Sequence, residues 1–239
     1  MSENIEKITT RKDFIKKGFF TIGSLLLSSE LLNSCTTPST NTRSITDSSC
    51  TIAPTETKGP FPIKTPSELI NSNIVSDRTG VALLVKIKIQ DTKNGCKPIE
   101  GALVDIWHCD KDGYYSEYGA TQMQQVDYTN VHFLRGRQTT DKNGEVQFIS
   151  IYPGWYRGRA PHIHVEVLSN SGSSLVITQI AFPEDVSSIV YSSPLYSSHG
   201  QADTKNNSDN VFSDSLSLNM GSITGNINDG FVLTKSINV

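Results

Sequence analysis

Two histidines at a spacing of two are the residues of this chain whose arrangement most directly indicates chemistry. His162 and His164 lie in an apolar, β-branched segment, which predicts a β-strand. Side chains two residues apart project from the same face of a strand, about 6.6 Å apart along it. Two imidazoles placed in this way can bind one metal ion. Tyr156 lies in the preceding turn, and its phenolate would add an oxygen ligand that Cys/His zinc sites lack.

Glu166 is the obvious third ligand by local spacing, because it would share the strand face of both histidines. A site of two histidines and one carboxylate, typical of zinc or ferrous enzymes, is therefore a rival hypothesis. Strand geometry argues against it, since residues 162 and 166 are about 13 Å apart along a strand. Further ligands must come from another segment, and the tyrosine-rich loop at residues 114–118 is a candidate.

The segments that would position these residues have the character of β-strands. Alternating or β-branched runs occur at residues 81–89, 102–107, 146–149, 163–168, 175–182 and 231–233. Turn signals separate them, at residues 91–95, 141–144 and 171–172. The last of these turns joins a predicted hairpin, and helix signals are confined to residues 65–70 and 183–190. The pattern predicts an all-β fold, a β-sandwich of mainly antiparallel strands with long loops and few short helices.

Composition and charge exclude two classes of function. The chain has 239 residues and a formal net charge of −3. No stripe of basic residues accompanies this charge, so nucleic acid is not an expected partner. No apolar run reaches the roughly 18 residues that a transmembrane helix requires.

The N-terminal segment predicts export and lipid attachment. A charged region at residues 11–17 precedes an apolar stretch at 18–27. Cys35 then follows a serine and has a leucine three positions before it, which resembles the lipobox of bacterial lipoproteins. Cleavage before Cys35 and acylation of this cysteine would anchor the protein to a membrane.

These features divide the chain into three parts. We expect a lipoprotein-type export signal, a Ser/Thr-rich tether and one folded domain, at residues 1–34, 35–49 and 50–239. The expected location is the bacterial cell envelope, on its periplasmic or surface face. The sequence leaves open the export route, the membrane leaflet and the oligomeric state.

Three further cysteines lie in the folded domain. An exported protein meets oxidising conditions, so one disulfide is expected. Cys96 and Cys109 lie near opposite ends of a predicted strand, beyond the reach of a disulfide. We therefore expect Cys50 to pair with one of them, and the sequence does not decide which.

Several short motifs, taken in their order and spacing, resemble the intradiol ring-cleavage dioxygenases, the family of catechol and protocatechuate 3,4-dioxygenases. The resemblance extends over residues 50–239, and the combination is more specific than any one motif. The motifs are Thr55–Phe61, Gly101–Trp107, Gly113–Tyr115, Leu134–Arg137, Pro153–Tyr156, Arg159–His164 and Thr178–Gln179. The stretch Pro153–Arg159 resembles the exported, single-domain members, as do residues 200–212.

The resemblance implies a metal site. The family binds one non-haem Fe³⁺ ion per chain through two tyrosines and two histidines. By position in the motifs, the implied ligands are Tyr115, Tyr156, His162 and His164. Tyr114, next to the first tyrosine, is the alternative, and Glu166 is not among the ligands.

The resemblance also implies roles near the substrate. Arg159 and Gln179 correspond to residues near bound substrate and oxygen, and Tyr156 would act as a base as well as a ligand. Gly59 and Pro60, together with Arg159, are implied substrate-binding residues. The remaining histidines have no partner pattern and are expected to be structural or surface residues, namely His108, His132 and His199.

The implied activity is cleavage of a catechol by O2 between its two hydroxyl-bearing carbons, giving a cis,cis-muconate-type diacid. Residues 50–239 would then be the catalytic domain. Arg157 and Gly158 stand where the family usually has tryptophan, so the identity of the catechol stays open. A non-catalytic β-sandwich lipoprotein that binds a ligand or partner is the alternative from another functional class.

Overall fold

A computed structural model describes residues 50–239, so the expected export signal, tether and lipidated Cys35 lie outside the described residues. Within the described range, nine strands form two sheets. The first sheet contains β1 (Ala82–Asp91), β2 (Lys97–Pro98), β5 (Glu145–Ile151), β8 (Ser222–Asn226) and β9 (Gly230–Asn238). The second contains β3 (Leu103–Trp107), β4 (Arg135–Thr139), β6 (His162–Leu168) and β7 (Ser174–Ala181).

The strand pairing confirms the predicted sandwich of mainly antiparallel strands. The second sheet has the order β4-β3-β6-β7, and every neighbouring pair in it is antiparallel. The first sheet has the order β2-β1-β9-β8, with β5 also paired to β1. Its β1–β9 pair is the exception, since these two strands are parallel.

Alternation along the strands separates the core from the functional face. In β6, Ile163 and Val165 are fully buried in the main hydrophobic core between the sheets. The intervening His162 and His164 are also buried, although they project from the opposite face. Because both faces of β6 are buried, other segments of the chain must cover the outer face that bears the histidines.

The helices are few and short, as expected. They are α1 (Glu184–Tyr191) and α2 (Leu216–Asn219), with single 3₁₀ turns at Pro66–Glu68, Thr92–Asn94 and Asn206–Ser208. The first 3₁₀ turn and α1 confirm the two predicted helical positions. Neither β8 nor α2 was expected, since β8 is an edge strand with one apolar residue, Ile223. Among residues 50–239, no helix combines the length and the hydropathy needed to cross a bilayer.

Two turns have different roles in the topology. The turn at residues 171–172 closes the predicted β6–β7 hairpin. The turn at 141–144 is also present, and the Asp141 carboxylate accepts hydrogen bonds from the backbone N–H groups of Asn143 and Glu145. It connects β4 to β5, which belong to different sheets, so it is a crossing between the layers.

A segment that we call the strap, residues 50–61, covers part of the second sheet. Cys50 forms a disulfide with Cys96, which confirms that Cys50 pairs with one of the two candidates, while Cys109 is free and buried. Further along the strap, the Glu56 N–H donates to the Ile177 carbonyl on β7 at 2.8 Å. The strap therefore runs from the disulfide towards the histidine-bearing face.

Candidate active site

The two histidines of β6 form the base of the site. Their Nε2 atoms are 3.1 Å apart. His162 Nδ1 lies 2.6 Å from the Ala160 carbonyl, which can only accept a hydrogen bond, so Nδ1 carries the proton. The unprotonated Nε2 is left with a lone pair that can bind a metal ion. Burial lowers the pKa of His162 to about 3 and that of His164 well below its ordinary value. Both rings are therefore neutral near pH 7 and suited to bind a cation.

Tyr115 places a buried phenol oxygen in this group of side chains. Its side chain is fully buried, and its hydroxyl has no hydrogen-bond partner among the described residues. Its ring stacks on Phe61 at 4.8 Å and lies 6.3 Å from the His164 ring. A buried unpaired hydroxyl costs about 1–3 kcal/mol. Burial also raises the pKa of Tyr115 far above its ordinary value, and a bound cation would oppose both penalties.

Tyr156 is the fourth member of this group. Its ring centroid lies 5.5 Å from that of His162 and 5.8 Å from that of Tyr115. Burial raises the pKa of Tyr156 to about 12, and the nearby Arg159 guanidinium acts in the opposite direction. The alternative residue Tyr114 has its ring against Tyr128, 6.2 Å away. The fold thus brings Tyr115 together with the other three implied ligands.

His164 is held between two segments. Trp107 on β3 pairs in register with His164, and the two rings stack at 4.9 Å with an interplanar angle of 1°. On another side, the strap passes over the imidazole at Gly59, which has φ +68°. A Cβ at Gly59 would lie 2.9 Å from His164 Cε1, so only glycine fits without displacement. Pro60 follows it at the surface, and substrate contact by Gly59 and Pro60 stays a prediction.

The Tyr115 loop is held by side chains that bind its backbone. Gln124 accepts a hydrogen bond from the Tyr115 N–H at 2.6 Å and donates to the Tyr115 carbonyl at 2.7 Å. Arg135 donates to the hydroxyl and the carbonyl of Ser116 and to the carbonyl of Phe61. Sequence reasoning missed both roles. Arg135 lay in a recognised motif, whereas Gln124 had no signal because its partners are backbone atoms.

Two of the three predicted catalytic residues, Arg159 and Gln179, belong to one polar network that also reaches the third, Tyr156. Arg159 Nη2 donates to Gln179 Oε1 at 2.6 Å, and Gln179 Nε2 donates to the strap carbonyl of Thr57 at 2.9 Å. Arg159 Nη1 lies 3.4 Å from the Tyr156 hydroxyl. Asp209, which sequence reasoning did not identify, is within hydrogen-bond distance of Arg159 Nε. The network lies directly beside the tyrosine–histidine group.

The carboxylate rival has no support in this arrangement. Glu166 forms an ion pair with Lys58 of the strap at 2.8 Å. Within residues 50–239, no group of three or more His, Cys, Asp and Glu side chains is placed to hold a metal ion. A metal site here therefore requires the tyrosines, and two phenol oxygens with two imidazole nitrogens fit a small, hard, highly charged cation.

The remaining histidines have structural partners, as expected. His108 is buried between the Cys109 carbonyl and the Ser150 hydroxyl. His132 lies within hydrogen-bond distance of the Glu117 carboxylate, and His199 lies within hydrogen-bond distance of the Trp155 carbonyl. None of the three contributes to the tyrosine–histidine group.

Comparison with known proteins supplies the context for this site. A protein family described as Dioxygenase matches residues 59–211. A solved intradiol ring-cleavage dioxygenase from Tetranychus urticae is 34% identical with a TM-score of 0.70, over 79% of this chain and 94% of that one. The dioxygenase domain of a carbohydrate-binding fusion protein from Streptomyces is 25% identical with a TM-score of 0.56, over 79% and 98% of the two chains.

Curated sequences give a shorter match. Catechol 1,2-dioxygenase from Candida albicans is 34% identical over 121 residues, which is 43% of this chain and 37% of that protein. The matches span less than half the length of the first curated relatives.

Proposed function

Since the chain belongs to the intradiol ring-cleavage dioxygenases, a family of oxidoreductases, we propose that it cleaves a catechol with O2 between the two hydroxyl-bearing carbons. The product is a cis,cis-muconate-type diacid. The observation that supports this most directly is the meeting of two neutral imidazoles with the unpartnered, buried hydroxyl of Tyr115. A metal ion bound beside the imidazoles would give this hydroxyl the partner that it lacks.

The cofactor in this proposal is one Fe³⁺ ion per chain, held by two phenolates and two neutral imidazoles. The residues that hold it are Tyr115, Tyr156, His162 and His164. Bound there, ferric iron would supply Lewis acidity toward the catechol oxygens. Because two phenolates contribute two negative charges, this ligand set favours the ferric over the ferrous ion.

The two tyrosines have different surroundings, which suggests different roles. Tyr115 is fully buried and packed on Phe61, so it is the permanent ligand. Tyr156 is half-buried, and its hydroxyl is 3.4 Å from Arg159 Nη1. We assign to the Tyr156 oxygen the role of base that accepts a proton from the entering catechol.

Arg159 and Gln179 complete the catalytic group. The Arg159 guanidinium is at the edge of the site and stabilises negative charge that develops on substrate and oxygen. Gln179 holds the Arg159 Nη2 group at 2.6 Å and ties it to the strap, which keeps the charge in place. Gly59 and Pro60 shape the substrate pocket above His164.

The test is the colour and the reactivity of purified protein loaded with Fe³⁺. We expect a broad visible absorption band from tyrosinate-to-iron charge transfer, and O2 uptake with formation of a ring-opened diacid. Catechol, protocatechuate, hydroxyquinol and halocatechols should be compared as substrates. Protein that stays colourless after iron loading would refute the metal site. Coloured protein without O2 uptake on any catechol would refute the activity alone.

We further propose that the protein is exported and lipid-anchored at the cell envelope through Cys35. The support is the lipobox-like segment before this cysteine. Wild-type protein should partition with membranes and incorporate labelled fatty acid, whereas Cys35→Ser should do neither. Equal membrane association of the two proteins would remove Cys35 as the anchor.

A further inference from the structure

We propose that Asp209 is a positioning residue of this active site, whose carboxylate holds the Arg159 guanidinium and the Ala160 backbone in place beside the metal ligands. The inference rests on the proposed function, because it assigns a partner to a residue of that site. Asp209 lies at the end of the 3₁₀ turn Asn206–Ser208, within residues 200–212. Its side chain is completely buried.

The hydrogen bonds of the Asp209 carboxylate all come from N–H donors. Its Oδ1 accepts from Arg159 Nε at 3.0 Å and from the Val211 N–H at 2.9 Å. Its Oδ2 accepts from the same Nε at 2.8 Å and from the Ala160 N–H at 2.8 Å. A carboxylate is the side-chain group that accepts at both oxygens. The buried charge is balanced by the guanidinium, which makes these hydrogen bonds strong.

The contact at Arg159 Nε determines where the other two guanidinium nitrogens lie. Because the guanidinium is planar and rigid, a bond at Nε sets the direction of both Nη groups. These groups are the ones that reach Gln179 at 2.6 Å and the Tyr156 hydroxyl at 3.4 Å. Asp209 thus acts on the proposed reaction through Arg159 and does not touch the substrate.

The contact at Ala160 gives a second connection to the site. Asp209 binds the Ala160 N–H, and the carbonyl of the same residue is bound by His162 Nδ1 at 2.6 Å. Phe212, whose N–H donates to the Asp209 carbonyl, packs its ring 5.6 Å from the Arg159 guanidinium and 6.4 Å from the His162 ring. The segment Asp209–Phe212 therefore supports both the arginine and one metal ligand.

Asp209→Asn is the informative variant because it keeps the size and removes one acceptor. Whichever way the amide turns, its NH2 faces an N–H donor, so one set of bonds is lost. We expect kcat to fall about 10- to 100-fold, the loss typical of misplaced catalytic groups, while the Fe³⁺ band persists and KM changes much less. Asp214→Asn, an exposed acidic position in the same region, is the matched control and should retain wild-type kinetics.

A double-mutant cycle separates positioning from general stability. In an Arg159→Met background, Asp209→Asn should lower kcat by a smaller factor than in the wild type, because the Arg159 contact is already absent and only the backbone contacts at Ala160 and Val211 remain. An equal loss in both backgrounds, or a wild-type kcat for Asp209→Asn, would overturn the inference. A fall in kcat that is fully accounted for by a proportional loss of bound iron and of the visible band would overturn the role through Arg159.

NMR of the metal-free protein tests the contact without activity. The Arg159 Nε–H signal, assigned by its disappearance in Arg159→Lys, should exchange slowly in the wild type and rapidly in Asp209→Asn. Rapid exchange in the wild type would contradict the inference even if the variant failed to fold. If the wild type cleaves no catechol but shows the protected signal, the proposed function fails and the Asp209 contact holds.

Discussion

At the scale of single residues, two adjacent tyrosines provide the sharpest test of the ligand set. Tyr115→Phe should weaken and shift the visible band of the Fe³⁺-loaded protein, because one of the two proposed phenolate ligands is removed. Tyr114→Phe, whose parent ring packs on Tyr128, is the matched control and should keep the band. Absorption spectra and iron content measure both. A band of unchanged position and intensity in Tyr115→Phe would exclude this residue as a ligand.

The same Tyr115→Phe variant should be more stable than the wild type when both proteins are metal-free. In the metal-free protein the Tyr115 hydroxyl is buried without a partner among the described residues. Its removal should raise the free energy of unfolding by about 1 kcal/mol. Urea unfolding of metal-free wild type and variant measures this difference. A lower stability for the variant would mean that the hydroxyl has a stabilising partner.

Gly59 allows a second prediction at this scale. Gly59→Ala combines a positive φ with a Cβ 2.9 Å from His164, so it should displace the strap or the imidazole and weaken Fe³⁺ binding at least tenfold. Gly172→Ala also has positive φ, but its Cβ would have no neighbour within 4 Å. Metal titration should therefore show weak binding only for Gly59→Ala. Equal iron affinities would show that the contact with His164 is unimportant.

At the scale of elements, the strap depends on its disulfide. Cys50 and Cys96 are 46 residues apart in sequence. Closing a loop of this length stabilises a folded chain by up to about 4 kcal/mol. The Cys50→Ser/Cys96→Ser double variant should lose about 2–4 kcal/mol of unfolding free energy, measured in urea. As a control, a reducing agent should destabilise the wild type and leave the double variant unchanged, because the variant has no Cys50–Cys96 disulfide to reduce. Cys109 is a free, buried thiol in both proteins and does not contribute to the difference.

At the scale of the whole molecule, buried histidines determine how stability responds to acid. Burial lowers the pKa of His108 to about 4, and His162 and His164 are shifted in the same direction. Below about pH 6.5 the unfolded chain therefore binds more protons than the folded chain. The contribution of these histidines to the free energy of unfolding is fully present above that pH and is lost as the pH decreases towards 4. Buried Asp105 and Asp110 have raised pKa values and oppose this trend only near the acid end.

The pH prediction is tested with metal-free protein. Each histidine contributes about 1.4 kcal/mol per pH unit to the slope of the unfolding free energy between pH 6 and 5. His108→Asn should reduce this slope by about one proton. Urea unfolding at several pH values measures it, and an unchanged slope would show that His108 is protonated in the folded state.

Much of the fold was predictable from the sequence, because alternation is a local property. The strands β1, β3, β6, β7 and β9 all follow from apolar alternation, and the β6–β7 turn follows from its residues. The edge strand β8 could not be predicted, since an exposed strand shows no alternation of this kind. Nor could the crossing from β4 to β5, because a four-residue turn does not specify whether the strands it joins pair with each other.

The sequence by itself determined that His162 and His164 share a strand face, because the geometry of that short stretch is set by the local backbone. The family resemblance then implied Tyr115 and Tyr156 as further ligands. Only the tertiary structure brought Asp209 to Arg159, 50 residues away, and Gln179 to Thr57, 122 residues away. Such contacts arise from packing of the strap and loops over β6. No local pattern encodes them, because each depends on where distant segments meet.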